Sequence, residues 1–324
     1  MSRRDIVTVG ASAGGVPALR LLAAQLPPDF PAAVFMVLHV GAHTSSLPLI
    51  LSAAGPNPAR HAEHGQPLQR GVITIAPPDH HMTLNAEGVQ VLRGPKEHHT
   101  RPAIDPLFRS AALSFGARVV GVVLTGLLDD GTAGLQAIKE CGGLAVVQDP
   151  DTAEEPSMPA SALRAVSVDH CVPLSDMGKL LLRLVQQSAG AASARSNRLA
   201  REHAVASGGE NAMEELRAFA TPSTFVCPDC KGALWEVDGS NPPRYRCHTG
   251  HAFSLRTLTD VQETKTDEAM WSAIRALQEK ELLLHKVAAL DHAAGDSERA
   301  RRSEVEAERI GEQMLLLRRL VERP

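Results

Sequence analysis

Asp5-Ile-Val-Thr-Val-Gly10-Ala-Ser12-Ala-Gly14-Gly15 reads as a strand that stops at a turn of small residues, and Val16-Pro-Ala-Leu-Arg-Leu-Leu-Ala-Ala24 continues as a helix. That order sets one hydroxyl, Ser12, at the apex of a strand–turn–helix. Gly10-Ala-Ser12-Ala-Gly14 fits the G-x-S-x-G pattern, whose small neighbours let a nucleophilic serine stand clear of the strand end. The backbone N–H of Ala13 then points where an oxyanion would form. Two other readings fit this stretch as well. A dinucleotide-binding turn would want glycine at position 12 and an acid about 20 residues on, but position 12 is serine and the next strand, Ala33–Leu38, runs into His39. A plain turn with a serine helix cap is the third.

Moving outward, strand-like runs at Ile6–Val9, Val34–Leu38, Val72–Ala76, Val119–Leu124 and Leu144–Gln148 alternate with helical stretches at Pro17–Gln25, Pro106–Phe115 and Gly134–Glu140. Most of the strands are continuously apolar, as strands covered on both faces must be. The pattern predicts an α/β fold, a doubly wound and mostly parallel Rossmann-like sheet. His81–Leu84 and Val89–Leu92, joined by Asn85-Ala-Glu-Gly88, read as an inserted hairpin.

In such sheets the working groups lie beyond the carboxyl ends of the strands. One strand end gives Ser12, a second gives His39, and Val119–Leu124 leads into Thr125-Gly-Leu-Leu-Asp129-Asp130-Gly131. A serine needs a base within hydrogen-bond reach, and the base needs a carboxylate that fixes its tautomer. Residue spacing leaves Asp129 and Asp130 both open. His43 is a weaker rival for the base, and the His80-His81 and His98-His99 pairs read as loop and surface residues. Cys141 and Cys171 read as small buried hydrophobes.

The net charge of -4 gives no electrostatic reason to bind nucleic acid, and a 3% aromatic content leaves few rings to stack on bases. No apolar run approaches the ~18 residues of a membrane span. With no signal-peptide pattern and three of five cysteines clustered late, the expectation is a cytoplasmic protein without membrane insertion.

Gly10-Ala-Ser-Ala-Gly-Gly15, His39, Thr100-Arg101-Pro102-Ala-Ile-Asp105 and Leu124-Thr-Gly126 with Asp130-Gly131 and Gly134 together resemble the catalytic domain of CheB-type protein-glutamate methylesterases, over about residues 3–185. The resemblance implies hydrolysis of γ-glutamyl methyl esters on a methylated chemoreceptor or receptor-like protein in chemotaxis-type signalling, with deamidation of glutamines in some members. It needs no cofactor for catalysis. By position it implies Ser12 as nucleophile, His39 as base and Asp130 as orienting acid. Leu127 N–H becomes a second oxyanion donor, Arg101 a substrate contact or else a surface ion pair, and Met158 part of a Met-Pro loop lining the site. Two departures stand out: Leu38-His39-Val40 where members often have Gln-His-Met, and Leu127-Leu128 where they often have Met-Gly. Nothing precedes Arg3 where chemotaxis members carry a receiver domain, so a separate regulator is expected.

The notional catalytic domain, 1–186, gives way to a Ser/Ala/Gly-rich stretch, 187–222, read as a flexible linker. Residues 223–256 hold Cys227-Pro-Asp-Cys230 and Cys247-His-Thr-Gly-His251. Two close ligand pairs a hairpin apart suit tetrahedral Zn²⁺, so a zinc-ribbon-like module is expected with Cys227, Cys230, Cys247 and His251 closing a structural site. Residues 257–324 read as a helical hairpin, with Met270, Ile274, Leu277, Leu284 and Val287 answered by Ile310, Met314, Leu317 and Leu320, self-packed or forming a homodimer. A non-catalytic signalling adaptor, binding partners through the zinc and helical modules, is the alternative from another class.

Overall fold

All six residues of Ile6–Ala11 (β1) are buried, because both faces of this strand are covered. Neighbouring side chains point to opposite faces: Ile6 joins one core cluster and Val7 the other. The computed structural model describes residues 3–190, 196–209 and 211–322. After β1 come α1 (Gly15–Gln25), β2 (Ala33–Leu38), α2 (Leu47–Ala54), β3 (Ala59–His61), β4 (Ile73–Ile75) and the hairpin β5 (His81–Leu84)–β6 (Val89–Leu92). Then follow α3 (Ile104–Phe115), β7 (Val119–Val123), α4 (Thr132–Glu140), β8 (Leu144–Gln148), α5 (Ser157–Ala165), β9 (His170–Val172) and α6 (Leu174–Gln186).

The strands form a seven-stranded sheet in the order β3-β4-β2-β1-β7-β8-β9, paired parallel throughout. One face is covered by α1, α2 and α6 through Leu19, Leu22, Leu51, Leu181 and Leu184. The other is covered by α3, α4, α5 and the hairpin through Leu107, Phe108, Leu135, Met158 and Met82. The doubly wound sheet agrees with the sequence reading. The chain moves from β1 outward through β2 to β4 and returns to β7 on the other side of β1, so the strand order reverses beside β1. Crevices at such a reversal, beyond the carboxyl strand ends, are where α/β sheets bind ligands.

The stretch read as a flexible linker is otherwise. It carries α7 (Asn197–Ala206), capped by the Ser196 hydroxyl accepting from Leu199 N–H, and α8 (Ala212–Arg217). The buried Leu199, Val205 and Leu216 hold these helices in place. Part of the Ser/Ala run, 191–195, lies outside the described residues. An antiparallel four-stranded sheet follows: β10 (Ala220–Val226), β11 (Ala233–Val237), β12 (Arg244–Cys247) and β13 (Ala252–Ser254). Phe225 meets the Tyr245 ring edge-on at 5.3 Å.

The chain divides into one compact unit ending at Leu258 and a second from Thr259 to Pro324. The four-stranded sheet therefore belongs to the same compact unit as the α/β sheet and is not a separate bead. Its edge strand pairs with the loop before α3: His98 N–H donates to Ala252 carbonyl (2.7 Å) and Ala252 N–H to Lys96 carbonyl (3.3 Å).

The helices α9 (Leu255–Ala293) and α10 (Ser297–Val321) supply the second unit, with Gly295 at φ +82° between them. Their seam uses small residues, Ala288, Ala300 and Ala307, alongside Ile274 and Ile310. Val287 and Leu320, expected inside, lie outside at 44% and 54% exposure, since alanines let the two backbones approach along a different stripe. No described helix is long and apolar enough to cross a membrane.

Candidate active site

The turn after β1 is built as the small residues require. Gly14 takes φ +71°, a left-handed conformation that glycine adopts without strain, and a β-carbon there would lie 2.7 Å from Glu154 Cβ. Ser12 N–H donates to Thr125 carbonyl (3.0 Å), and the Thr125 hydroxyl donates to Ala13 carbonyl (2.9 Å). Thr125 is itself fixed by the Gln148 side chain, which accepts its N–H at 3.0 Å. Gln148 and Thr125 thus tie the serine turn to β8. Thr125 belongs to the Leu124-Thr-Gly126 motif, but nothing in the sequence marks Gln148 or its pairing with Thr125, because that bond acts across strands.

His39 follows β2, its N–H donating to Ala11 carbonyl (3.3 Å). Nδ1 lies 3.0 Å from Ser12 Oγ and Nε2 lies 2.8 Å from Asp130 Oδ2. The ring is therefore turned relative to the serine-protease template, in which Nε2 faces the serine. With Nε2–H donating to the carboxylate, the Nδ1 lone pair is free to accept the serine proton.

Asp130, 2% exposed, is held from both sides. Oδ2 accepts from Ile104 N–H (2.7 Å) and Oδ1 from Asp105 N–H (3.0 Å), the first two amides of α3. In return Asp105 Oδ1 accepts from Gly131 N–H (3.0 Å) and Gly134 N–H (2.6 Å) at the start of α4. Each acid caps the other's helix, where orphan N–H groups and the helix dipole favour a negative charge. Burial works against the Asp130 charge. The positive ring of His98, the bond to His39 and the Ile104 amide outweigh it and hold the carboxyl down at about 2.

Asp129, which spacing left as a rival, faces away from His39. Its Oδ1 accepts from the Ser254 hydroxyl (2.6 Å) and the Thr257 hydroxyl (3.3 Å). His43 sits in an exposed loop.

The remaining expected site residues are distributed as follows. Among the described residues no protein acceptor takes the N–H of Ala13 or Leu127, and Leu127 is 53% exposed at the mouth of the loop. Leu128 adopts φ +61°, the conformation that glycine fits freely, at a cost of about 1–2 kcal/mol for a residue with a side chain. Ser157 and Ser161 hydroxyls donate to Leu128 carbonyl (3.1 and 3.2 Å) and hold it there. Arg101 takes the ion-pair alternative: Nε and Nη2 grip Asp79 Oδ1 (2.9 and 2.6 Å), and Nη1 donates to Gly94 carbonyl (2.6 Å). Met158 does not line an open surface. It is fully buried, and its sulfur lies where a β-carbon on Gly126 would collide at 2.2 Å, so it supports the loop from beneath.

Two of the supposed surface histidines are buried: His81 (5% exposed) in β5, bonded to Pro95 carbonyl and Ala103 N–H, and His98 (side chain 7%), whose loop pairs with β13. His99 is the exposed member of its pair, donating to Asp229 Oδ1 at 2.7 Å. Cys141 is buried as expected, but Cys171 lies exposed on the short edge strand β9.

The ligand atoms of Cys227, Cys230, Cys247 and His251 lie within 4.8 Å of one another. Zn–S bonds of about 2.3 Å and a Zn–N bond of about 2.0 Å give tetrahedral edges close to the observed Cys230–Cys247 Sγ separation, 3.7 Å, and Cys247 Sγ–His251 Nδ1 separation, 3.6 Å. The donor set fits a metal ion, and His248 is exposed outside it.

The CheB methylesterase family model matches residues 7–181, more than half of the chain. A Leptospira interrogans protein given, provisionally, the name protein-glutamate methylesterase/protein-glutamine glutaminase is 36% identical over 186 residues, which are 57% of this chain and 96% of that protein. Protein-glutamate methylesterase/protein-glutamine glutaminase 2 of Anaeromyxobacter dehalogenans is also 36% identical over 57% of this chain, which spans about half (54%) of that longer relative. The crystal structure of the Thermotoga maritima CheB methylesterase catalytic domain superimposes with a TM-score of 0.55 at 30% identity, over 57% of this chain and all of that one.

Proposed function

This chain belongs to the CheB methylesterase family, and on that premise we propose that it is a serine hydrolase of γ-glutamyl methyl esters on a chemoreceptor-like protein, able also to deamidate glutamines there. The observation that carries the reading is the continuous bonded series Ser12 Oγ–His39–Asp130, at 3.0 and 2.8 Å.

In this mechanism His39 Nδ1 takes the Ser12 proton as Oγ attacks the ester carbonyl carbon. The carbonyl oxygen becomes an oxyanion held by the N–H groups of Ala13 and Leu127. The C–OCH₃ bond then breaks, and methanol leaves with the proton from His39. Water, deprotonated by Nδ1, attacks the Ser12 acyl ester, and the glutamate carboxylate is released with Ser12 regenerated. Asp130 stays ionised throughout and stabilises the imidazolium. With glutamine as substrate, ammonia takes the place of methanol.

Cys227, Cys230, Cys247 and His251 would hold one Zn²⁺, closed by four protein ligands and so structural. The working division is a catalytic region to residue 186, the metal-bearing sheet behind it and the helical hairpin at the end, available to a regulator or a second copy.

The deciding experiment is methanol release from methylated receptor cytoplasmic fragments by wild type and Ser12→Ala. Release by wild type alone is expected; equal release by both would sink the assignment of Ser12.

A further inference from the structure

His98 lies on the far side of Asp130 from His39 and takes no part in the steps above. Its Nε2 is 2.9 Å from Asp105 Oδ2 and 3.6 Å from Asp130 Oδ1. Its Nδ1 is 3.2 Å from the Thr257 hydroxyl and 3.9 Å from Asp129 Oδ1. We propose that His98 is a positioning residue for Asp130, and that Thr257, from the junction of β13 and α9, fixes its second ring nitrogen.

The two helix-capping acids create the need for such a residue. The ligand atoms of His98, Asp105 and Asp130 all lie within 4.8 Å of one another, at buried or nearly buried positions. Two carboxylates so close in a site away from water resist ionising together. Asp130 must nevertheless be charged, because its charge selects the His39 tautomer and stabilises the imidazolium. A cation lying against both acids eases the conflict, although burial and Asp130 still push the Asp105 carboxyl up, and every partner of the ring can accept from a doubly protonated imidazole. Nε2–H donates to Asp105. Nδ1–H donates to Thr257 Oγ1, whose own proton goes on to Asp129 Oδ1, which also accepts from Ser254.

The groups facing the ring are Asp105 from α3, Asp129 and Asp130 from the loop after β7, and Thr257 from the C-terminal side. Neighbouring Glu97 turns away to Arg109 and Arg246. Burial most strongly opposes charge on His98, yet Asp130, Asp105 and Asp129 together push the ring up to about 10. The main chain is committed too: His98 sits at φ +54° with its N–H on Ala252 carbonyl.

The inference rests on the Ser12–His39–Asp130 reading, so its test uses a probe independent of any receptor. The rate at which a fluorophosphonate labels Ser12 is measured on the full chain from pH 5.5 to 9, for wild type, His98→Gln and His98→Lys. His98→Gln is expected to label at least about tenfold more slowly at pH 7.5, a part of the 10²–10⁴-fold that a positioned base supplies. His98→Lys, which restores the charge, should recover most of that loss. A merely structural role predicts no rescue by charge. Labelling of His98→Gln at the wild-type rate, or of His98→Lys as slowly as His98→Gln, overturns the proposal. Wild type that never labels refutes the Ser12 reading and this inference with it. Should the variants fail to fold, imidazole nitrogen spectra of wild type at pH 8 decide. Two protonated nitrogens on His98 are expected, and a neutral or metal-bound ring refutes the proposal.

Discussion

Replacing Glu97 by Gln should loosen the attachment of the C-terminal sheet without altering any triad residue. Glu97 is 2% exposed and accepts four hydrogen bonds from two guanidinium groups. Three of these bonds are 3.2 Å long. Arg246 also reaches Glu202 at 3.1 Å, and Glu202 holds Arg244 at 2.6 Å. At an effective dielectric of ~20, one unit pair at this range attracts by about 5 kcal/mol before desolvation is counted. In the Glu97→Gln variant one carboxylate oxygen becomes an NH₂ facing guanidinium donors, and three buried arginines share one acid. Breaking such an arrangement from one side costs about 3–5 kcal/mol, a large share of a domain's 5–15 kcal/mol. The assay is hydrogen exchange of the His98 and Ala252 amides, which join β13 to the loop before α3. Protection there should fall by roughly 10²–10⁴-fold, and a fall of less than tenfold, about 1.4 kcal/mol, refutes the reasoning. Acid should act in the same direction as the mutation. Burial opposes the Glu97 charge, but Arg109 and Arg246 hold its carboxyl well below the usual range. Its stabilisation is therefore complete above about pH 4.3 and is lost only as pH falls toward the lower folded value. Glu97→Gln should flatten that acid slope.

Three further outcomes are expected. Asp130→Asn should slow fluorophosphonate labelling of Ser12 by up to about 10⁴-fold and also lower the melting temperature, because the new NH₂ faces backbone N–H donors that the carboxylate accepted. Gly126→Ala should cost about 1–3 kcal/mol of stability by overpacking and slow labelling, because the new methyl meets Met158 Sδ at 2.2 Å and Ser12 Cβ at 2.8 Å; a wild-type melt with wild-type labelling counts against that packing. Metal analysis should find close to one Zn²⁺ per chain, lost in Cys247→Ser together with exchange protection in β11 and β12; a full metal load in that variant argues against the ligand set.

What the sequence made legible was local in character. Continuous apolar runs announced the parallel strands, and the small-residue turn announced Ser12. Paired soft ligands announced the Cys/His cluster, since both members of each pair sit within five residues. The sequence was silent wherever the partner is distant. Gln148 and Thr125 are 23 residues apart, and Glu97 and Arg246 are 149 apart. The reading of His98 as a surface residue failed for the same reason, since only the overlay of β13 removes it from water. The Ser/Ala stretch looked like linker because its helices bury few apolar residues, and Glu202, fully enclosed by arginines, is polar to the eye.

Consecutive residues 97 and 98 point into two different charge systems, and that adjacency explains why the second sheet sits where it does. Glu97 would be a poorly compensated buried acid with Arg109 alone, and Arg246 and the neighbouring Glu202–Arg244 pair complete its surroundings. His98 would be a solvated ring if Ala252 and Thr257 did not close over it. A loop carrying both residues gains little from an apolar cover, because an apolar cover strands the Glu97 charge. It gains from a cover that brings arginines to one residue and a hydroxyl to the next, which is what β12, β13 and the first turn of α9 provide. The same loop ends at Ile104 and Asp105, whose amides hold Asp130. Fixing the loop for stability therefore also fixes Asp130, the acid of the proposed triad, and a change in the strands that cover the loop is expected to register in the rate at which Ser12 is labelled.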